Sequence, residues 1–340
     1  MKSRRLIVAV AAAAVLTASA CGSGSAPAAG ESGLTIYSGR SESLVKPVLD
    51  KLEKATGVDV EVRYGGSSEL AAQLLEEGEA TKAALFFSQD AGALGALGKA
   101  GRLEKLDSTV TGKVIDGFAD PQGLWVATSA RARVIAYNPD LAGDVTSMKS
   151  IDAILDPRYK GKIGFAPTNA SFHSFVTALR VVKGERGAKE WLTRFKANEP
   201  KAYDKNTTVL NAVDKGEVAL GLINHYYWYE KVAEVGRDKV TAQIHFLDSD
   251  DPGALINVAG VGVIKGTDAK PAAVKAIEYL LSPEGQAYFA DETFEYPVVE
   301  GVPTKGDLPP VSGLTGSSVD LNRLDSLDQT LTLLGEVGLT

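Results

Sequence analysis

The spacing of hydrophobic positions along the chain predicts strands and helices that alternate. In the first third, apolar stretches at 34–38, 58–64 and 83–87 indicate strands. Each stretch is followed by a segment whose apolar residues lie three and four positions apart, as in an amphipathic helix. Strands that alternate with helices through short connections are typical of a parallel sheet covered by helices. The chain is therefore predicted to be an α/β protein.

The same alternation continues towards the C terminus. Further strands are predicted at 124–136, 161–165, 218–223, 240–246 and 260–264. Further helices are predicted at 151–155, 172–182, 189–195, 206–213, 271–281, 283–289 and 321–339. Because no long linker interrupts the pattern after residue 32, we expect two α/β lobes joined by long strands, with a ligand between them.

One junction between a strand and a helix is unusually rich in aromatic residues. The buried strand predicted at 218–223 ends in Asn224, and Tyr226 and Tyr227 then begin a helix, about 100° apart around its axis. Ligands of open α/β sheets bind at such junctions. A buried phenol also needs a partner for its hydroxyl group. The alternative is that the two tyrosines only form the wall of an apolar groove.

The N terminus predicts export from the cytoplasm. Basic residues within the first five positions precede an apolar run at 6–16, which is too short to span a membrane but typical of a signal peptide. We predict a signal peptide over residues 1–20. The only cysteine, Cys21, follows in a segment that resembles a bacterial lipobox, so residues 21–33 are predicted to be a lipidated flexible tether. Ordinary cleavage after Ala20, with release into the periplasm or medium, is the alternative.

Composition and charge exclude several functions. The chain has 340 residues, enough for two domains, and its hydrophobic content of 44% is ordinary for a globular protein. The net charge of −7 becomes −10 once the three basic residues of the leader are removed, and no basic stripe is present. This acidity argues against nucleic acid as a partner. A single cysteine excludes an internal disulfide bond.

Motifs for catalysis are missing from the sequence. There is no Gly-x-Ser-x-Gly motif, no Walker loop and no dinucleotide-binding glycine pattern after a strand. The three histidines lack the spacing of a zinc site and are predicted to be satisfied surface or core residues. We therefore predict a binding protein and not an enzyme, with an exported metal-using hydrolase as the enzymatic alternative.

Two predicted helix starts carry polar groups that favour an anion. Thr168, Asn169 and Ser171 precede one helix, and Asn206 begins another. Free backbone N–H groups and the helix dipole attract negative charge at such positions. Ordinary helix capping is the alternative for each of them.

Several segments resemble the ferric-ion-binding proteins of bacterial iron ABC importers. The resemblance extends over nearly all of residues 34–340 and rests on these segments: Ile-Asn-His-Tyr-Tyr-Trp at 223–228, Ile-Tyr-Ser-Gly-Arg-Ser-Glu at 36–42, and the segments 131–138, 251–255 and 295–297. It implies a type II periplasmic-binding-protein fold, in which two lobes, each a mainly parallel sheet flanked by helices, enclose a cleft at the hinge. We predict a first lobe over 34–128 plus 257–308 and a second lobe over 129–256 plus 309–340.

The resemblance also implies that paired tyrosines bind Fe3+ directly. Tyr226 and Tyr227 match this pair, and Tyr137 is the predicted third ligand, with a packed strand aromatic as its alternative. Fe3+ is a small, highly charged ion that prefers anionic oxygen. A free phenol has a pKa near 10, but a strongly charged cation displaces its proton.

The sequence departs from one branch of this family. That branch has a histidine ligand where Ser41 stands and a glutamate ligand where Gln89 stands. The other branch completes the metal site with an anion such as carbonate. The charges of Fe3+, three phenolates and carbonate sum to −2, so we predict that Arg40 and Arg131 neutralise the site by holding the anion.

Other residues are assigned to the anion by the same resemblance. Arg133, by contrast, is expected to point away from the site as a surface salt-bridge residue. The remaining anion-binding residues are predicted to be Ser41, Thr168, Asn169, Ser171, Asn206 and Asn224.

The sequence thus predicts an extracytoplasmic, lipid-anchored, monomeric solute-binding protein with Fe3+ as its cargo and carbonate or bicarbonate as a synergistic anion. An ABC permease and its ATPase subunits are the predicted partners. The alternative is a protein of the same fold that binds an organic oxyanion such as a phosphonate, with the tyrosines lining the groove.

Overall fold

The computed structural model of the protein describes residues 33–248, 250–311 and 319–340. The predicted signal peptide, the lipidation site Cys21 and all but the last residue of the predicted tether lie outside these ranges. Across the described ranges, no helix combines the length and the apolar character needed to cross a membrane.

Strands and helices alternate as the hydrophobic pattern predicts. The elements up to the long fourth strand are β1 (Leu34–Ser38), α1 (Glu42–Thr56), β2 (Val60–Tyr64), α2 (Ser67–Glu77), β3 (Leu85–Ser88), α3 (Ala91–Lys99), α4 (Ser108–Thr111) and β4 (Val126–Tyr137). The elements after it are α5 (Pro139–Ala142), β5 (Ile163–Phe165), α6 (Ala170–Ala197), β6 (Lys201–Ala202), α7 (Asn206–Asp214), β7 (Leu220–Asn224), α8 (Tyr226–Val235), β8 (Gln243–His245), β9 (Ile256–Val263), α9 (Lys270–Leu280), α10 (Pro283–Asp291) and α11 (Leu327–Val337).

The strands form a mixed sheet with two parallel ends and an antiparallel centre. Their order is β2-β1-β3-β9-β4-β7-β5-β6, and β8 also pairs with β4. β1 runs parallel to β2 and β3, and β5 runs parallel to β6 and β7. β9 and β4 are antiparallel to each other and to their outer neighbours. These two strands therefore join the two ends of the sheet.

β4 changes partners in the middle of its length. Its residues from Val126 to Ala132 pair with β9, whereas those from Arg133 to Tyr137 pair with β7. All twelve residues of β4 are buried, so its two arginines lie in the interior. The point where β4 passes from one end of the sheet to the other carries the two charged residues Arg131 and Arg133.

The helices follow the predicted amphipathic pattern. In α1, Val45, Val48, Leu49 and Leu52 are buried, which is the spacing of one helix face. The helix ends at Gly57, whose φ of 71° is a left-handed conformation that glycine adopts at low cost.

A second hydrophobic core lies around α6 and α11. It contains the stacked pair Trp191 and Phe195, whose ring centroids lie 5.2 Å apart, and Phe172, which packs on Phe165 at 5.1 Å. Aromatic packing of this kind contributes about 1 kcal/mol per pair beyond area burial. The start of α6 is thus held on a rigid base.

Several element boundaries differ from the prediction. The helices predicted at 172–182 and 189–195 are two parts of α6, which is interrupted at Gly184 with a φ of 71°. The predicted closing helix is a 3-10 turn at Leu321–Leu324 followed by α11. α7 begins at Asn206 as predicted, but Lys205, and not Asn206, takes the cap position. A pattern of apolar residues locates the elements but does not fix where each one begins and ends.

Candidate functional site

The tyrosine pair begins α8, directly after β7, as predicted. The rings of Tyr226 and Tyr227 lie 4.1 Å apart between centroids. Tyr226 is 2% exposed, whereas Tyr227 remains partly exposed. The ring of His225 fixes this junction, because its Nδ1 accepts from the backbone N–H of Ala132 at 3.1 Å and its Nε2 donates to the carbonyl oxygen of Phe294 at 2.8 Å. His225 is a satisfied core histidine that positions the tyrosines.

Both phenols are protonated at neutral pH in this arrangement. Burial raises the pKa of Tyr226 well above its usual value, and burial also raises the pKa of Tyr227. The side chains of Tyr226 and Asn206 act in the opposite direction and lower the pKa of Tyr227. The positive charges of Arg40 and Arg131 act on Tyr226 in the opposite direction and lower its pKa. A cation that binds here therefore displaces phenolic protons.

Arg40 forms a buried ion pair with Glu295. Its Nη1 donates to Oε1 at 2.9 Å and its Nη2 to Oε2 at 2.7 Å, and both side chains are buried. Ser129 donates a further hydrogen bond to Oε2 at 3.1 Å. Burial alone raises the pKa of Glu295, but the charge of Arg40 holds it below its usual value. The fork of Arg40, which was predicted to grip the anion, is occupied by a carboxylate of the protein, and its charge is cancelled.

Arg131 is buried without a hydrogen-bond partner. The residue is 1% exposed, and none of Nε, Nη1 and Nη2 donates to any atom of the described residues. Burial and the nearby charge of Arg40 lower the pKa of Arg131. A buried guanidinium with free donors costs several kcal/mol unless a ligand satisfies it. The structure thus places an unsatisfied donor group beside Tyr226, where an anion was predicted.

Arg133 faces the tyrosines, so the prediction of a surface residue was wrong. Residues 131 and 133 lie two apart on β4, and side chains alternate between faces, so both point to the same side. Arg133 is 4% exposed, and its Nη1 donates to Ser171 Oγ at 3.1 Å. Its guanidinium also packs over Phe175 at 5.5 Å. Burial lowers its pKa to about 10, and it has an electrostatic interaction with Tyr226 and Tyr227.

The polar residues at the starts of α6 and α7 contact each other next to Tyr227. Asn169 caps α6, because its Oδ1 accepts from the backbone N–H of Ser171 at 3.0 Å and from Ser171 Oγ at 2.7 Å. Asn206 Nδ2 donates to Ser171 Oγ at 3.0 Å. The structure therefore brings these three predicted residues together. Asn206 Oδ1 and Asn224 Nδ2 are buried and have no hydrogen-bond partner within the described ranges.

An open cleft lies next to the buried ion pair of Arg40 and Glu295. Its volume is about 730 Å³, and its walls include Ser41, Gln89 and Thr168 together with Arg40 and Asn169. Ser41 precedes α1 and makes no capping hydrogen bond. Ser41 and Thr168 are exposed, so the structure places both on the cleft wall and not against the tyrosines.

Tyr137 lies away from the other tyrosines, which corrects the prediction of a third ligand. It pairs with Leu220 at the start of β7, whereas Tyr226 follows the end of that strand. Four residues along a strand correspond to about 13 Å. The Tyr137 hydroxyl donates to Gln243 Oε1 at 3.0 Å, and its ring packs in the second core. Tyr137 is the packed strand aromatic that was its alternative.

Sequence reasoning missed Glu295 and the role of Arg133. Glu295 lies in the segment 295–297 that carried the resemblance, but its partner Arg40 is 255 positions away. The residues that the structure describes hold no group of three or more His, Cys, Asp or Glu side chains arranged for a metal ion.

Comparisons with known proteins agree on the family. Residues 80–313 match the family of bacterial extracellular solute-binding proteins. The chain is 32% identical to an Fe(3+)-binding periplasmic protein of Serratia marcescens over 93% of each chain. It is 34% identical to a major ferric iron-binding protein of Neisseria meningitidis, over 90% of this chain and 93% of that one. The iron-bound HitA structure from Pseudomonas aeruginosa superimposes with a TM-score of 0.82 at 32% identity, covering 90% of this chain and 99% of that one. The predicted type II periplasmic-binding-protein fold is confirmed.

Proposed function

Because the chain belongs to the family of bacterial extracellular solute-binding proteins that includes the ferric iron-binding proteins, we propose that it captures Fe3+ through the phenolate oxygens of Tyr226 and Tyr227. The chain is a binding protein and not an enzyme. The observation that carries the proposal is the pair of adjacent phenols at the start of α8, held next to the guanidinium groups of Arg40 and Arg131. Fe3+ displaces their protons because its charge favours the phenolate form.

An anion completes the site in this proposal. Arg131 and Asn224 offer buried donors that lack partners, and a planar anion such as carbonate accepts from a guanidinium fork through two oxygens. Asn206 and Ser171 lie beneath Tyr227, with Arg133 bonded to Ser171. Arg40 acts through its ion pair with Glu295 and does not hold the anion.

In this proposal, a two-lobed fold serves delivery of the ion to a membrane transporter. We assign the first lobe to residues 34–128 plus 257–308 and the second to 129–256 plus 309–340. The tyrosines belong to the second lobe, and the cleft wall at Ser41 belongs to the first. Closure over the ion gives an ABC permease a loaded form to recognise, and the ATPase subunits drive release. A lipid on Cys21 anchors this monomeric carrier to the outer face of the membrane.

The direct test is an absorption spectrum during titration with Fe3+ in the presence of bicarbonate. A band in the visible range from phenolate-to-iron charge transfer is expected. Tyr227→Phe is expected to weaken the band and to lower the iron affinity by at least about 100-fold, because an anionic ligand is lost. Tyr137→Phe is the matched control, and its spectrum should equal that of the wild type because Tyr137 lies outside the site.

A second candidate function is favoured by the cleft. Its volume of about 730 Å³ exceeds what a single ion needs and is sufficient for an organic oxyanion. In that case the protein stays colourless with ferric citrate, and Tyr227→Phe binds the oxyanion as the wild type does. A coloured complex that requires Tyr227 excludes this candidate.

A further inference from the structure

Glu230 lies one helical turn after the tyrosine pair. It is four residues from Tyr226 and three from Tyr227 on α8, so the three side chains share one face of the helix. Between Tyr226 and Glu230, only Tyr227 and Glu230 are partly exposed. Side chains of a helix lean towards its N terminus, which directs Glu230 towards the tyrosines. The carboxylate therefore lies on the side of α8 that carries the proposed site.

The carboxylate of Glu230 has no fixed partner. No residue of the described ranges donates a hydrogen bond to it or forms an ion pair with it, whereas Glu295 is held by Arg40. Its electrostatic neighbours are nevertheless residues of the site. Burial and Glu295 raise the pKa of Glu230 to about 8, while Arg40 lowers it, and Glu230 itself raises the pKa of Tyr227.

The net charge of the proposed site is compatible with one additional carboxylate. Arg40 and Glu295 cancel each other, and Tyr137 lies elsewhere, which removes one positive and one negative charge from the balance predicted from sequence. Fe3+, two phenolates, one carbonate, Arg131 and Arg133 then sum to +1. One carboxylate brings the sum to zero, and a neutral cluster is the least costly to bury.

Ser41 and Gln89, which line the cleft, provide no anionic oxygen. Two phenolates and a bidentate carbonate supply only four oxygens. We infer that Glu230 supplies a further anionic oxygen ligand to the ferric ion, from the same helix as the tyrosines. This inference rests on the proposed function and assigns a residue that the resemblance does not.

The test compares three variants of the full chain loaded with ferric nitrilotriacetate and bicarbonate. Glu230→Gln removes the charge at constant shape, Glu230→Asp shortens the carboxylate, and Glu234→Gln is the control on an exposed position of the same helix. The measurements are iron affinity by competition with citrate, the wavelength of the charge-transfer band, and the number of oxygen neighbours by X-ray absorption.

Glu230→Gln is expected to lower the affinity by about 10-fold or more and to remove one oxygen neighbour. Its band should move to longer wavelength, because iron with fewer anionic ligands accepts charge more readily. Glu230→Asp should keep part of the affinity, and Glu234→Gln should equal the wild type. Unfolding of the iron-free Glu230→Gln protein should match that of the wild type and so exclude misfolding.

Two results overturn the inference. One is a Glu230→Gln protein with wild-type affinity and band position. The other is a loss of affinity with an unchanged band and an unchanged oxygen count, which assigns Glu230 a long-range electrostatic effect only. Both leave the proposed function intact as long as Tyr227→Phe loses the band. A wild-type protein that forms no coloured complex overturns the proposed function itself.

Discussion

Arg40 and Arg131 carry the same charge in the same buried region, but their surroundings give them different roles. Arg40 donates to both oxygens of Glu295, and this carboxylate raises its pKa against the effect of burial. Arg131 has no such partner, and burial together with Arg40 lowers its pKa. A buried charge with a partner contributes to the stability of the fold, whereas a buried charge without one is available to a ligand. The two residues therefore respond differently to mutation.

Arg40→Met is expected to destabilise the iron-free protein by about 3–5 kcal/mol, because it leaves the carboxylate of Glu295 buried without a counter-charge. Denaturant unfolding at neutral pH measures this loss. The double variant Arg40→Met/Glu295→Leu should recover most of the stability, since neither charge remains. A single variant as stable as the wild type would contradict the buried ion pair.

Arg131→Gln is expected to change anion dependence more than folding. Iron affinity at saturating bicarbonate should fall about 10- to 100-fold, because a charge-assisted hydrogen bond to the anion is lost, and its dependence on bicarbonate should disappear. Titrations with and without bicarbonate measure both effects. Arg186→Gln is the matched control, because Arg186 is 94% exposed. Unchanged bicarbonate dependence in Arg131→Gln would exclude Arg131 from the anion site.

At the scale of elements, the junction between β7 and α8 could be predicted because its signals are local. An apolar strand, a polar end and an aromatic helix start follow one another within ten residues. The interruption of α6 at Gly184 lies in the gap between the two helices predicted there. The partner change of β4 could not be predicted, because it depends on contacts between distant segments. The prediction for Arg133 was wrong for a different reason. Side chains two residues apart on a strand share a face, so the sequence was sufficient to place Arg133 on the same side of β4 as Arg131.

The β7–α8 junction is expected to make the iron-free protein sensitive to acid. Burial lowers the pKa of His225 to about 4, so the folded state binds fewer protons than the unfolded state between pH 6.5 and pH 4. Stability therefore falls as the pH drops through this window, by up to about 3 kcal/mol. Denaturant unfolding at several pH values measures the loss. His225→Gln, which keeps an acceptor and a donor but does not titrate, should lose this component, and an equal slope in both proteins would contradict it.

At the scale of the whole molecule, the resemblance supplied more than the local pattern did. The fold class followed from strand and helix periodicity together with the resemblance, and the comparisons confirm it. The ion pair between Arg40 and Glu295 joins residues 255 positions apart, and no local pattern encodes such a pairing. The third ligand was transferred from the resemblance to Tyr137, a residue of the right type at the wrong end of β4. Chemistry at one residue could be predicted, whereas the distance between two residues required the fold.

The proposed closure of the two lobes predicts a change in hydrogen exchange. The cleft walls come from loops near Ser41, Ser67 and Thr168, which belong to both predicted lobes. If iron bound at α8 draws the lobes together, amides of all three loops should exchange more slowly in the loaded protein. The strands β4 and β9 are fully buried and should stay protected in both states. Mass spectrometry of peptides with and without Fe3+ measures this change, and Tyr227→Phe is the control. Slower exchange at Thr168 alone, with Ser41 and Ser67 unchanged, would mean that the second lobe carries the ion without closure. A transporter would then have to recognise the second lobe by itself.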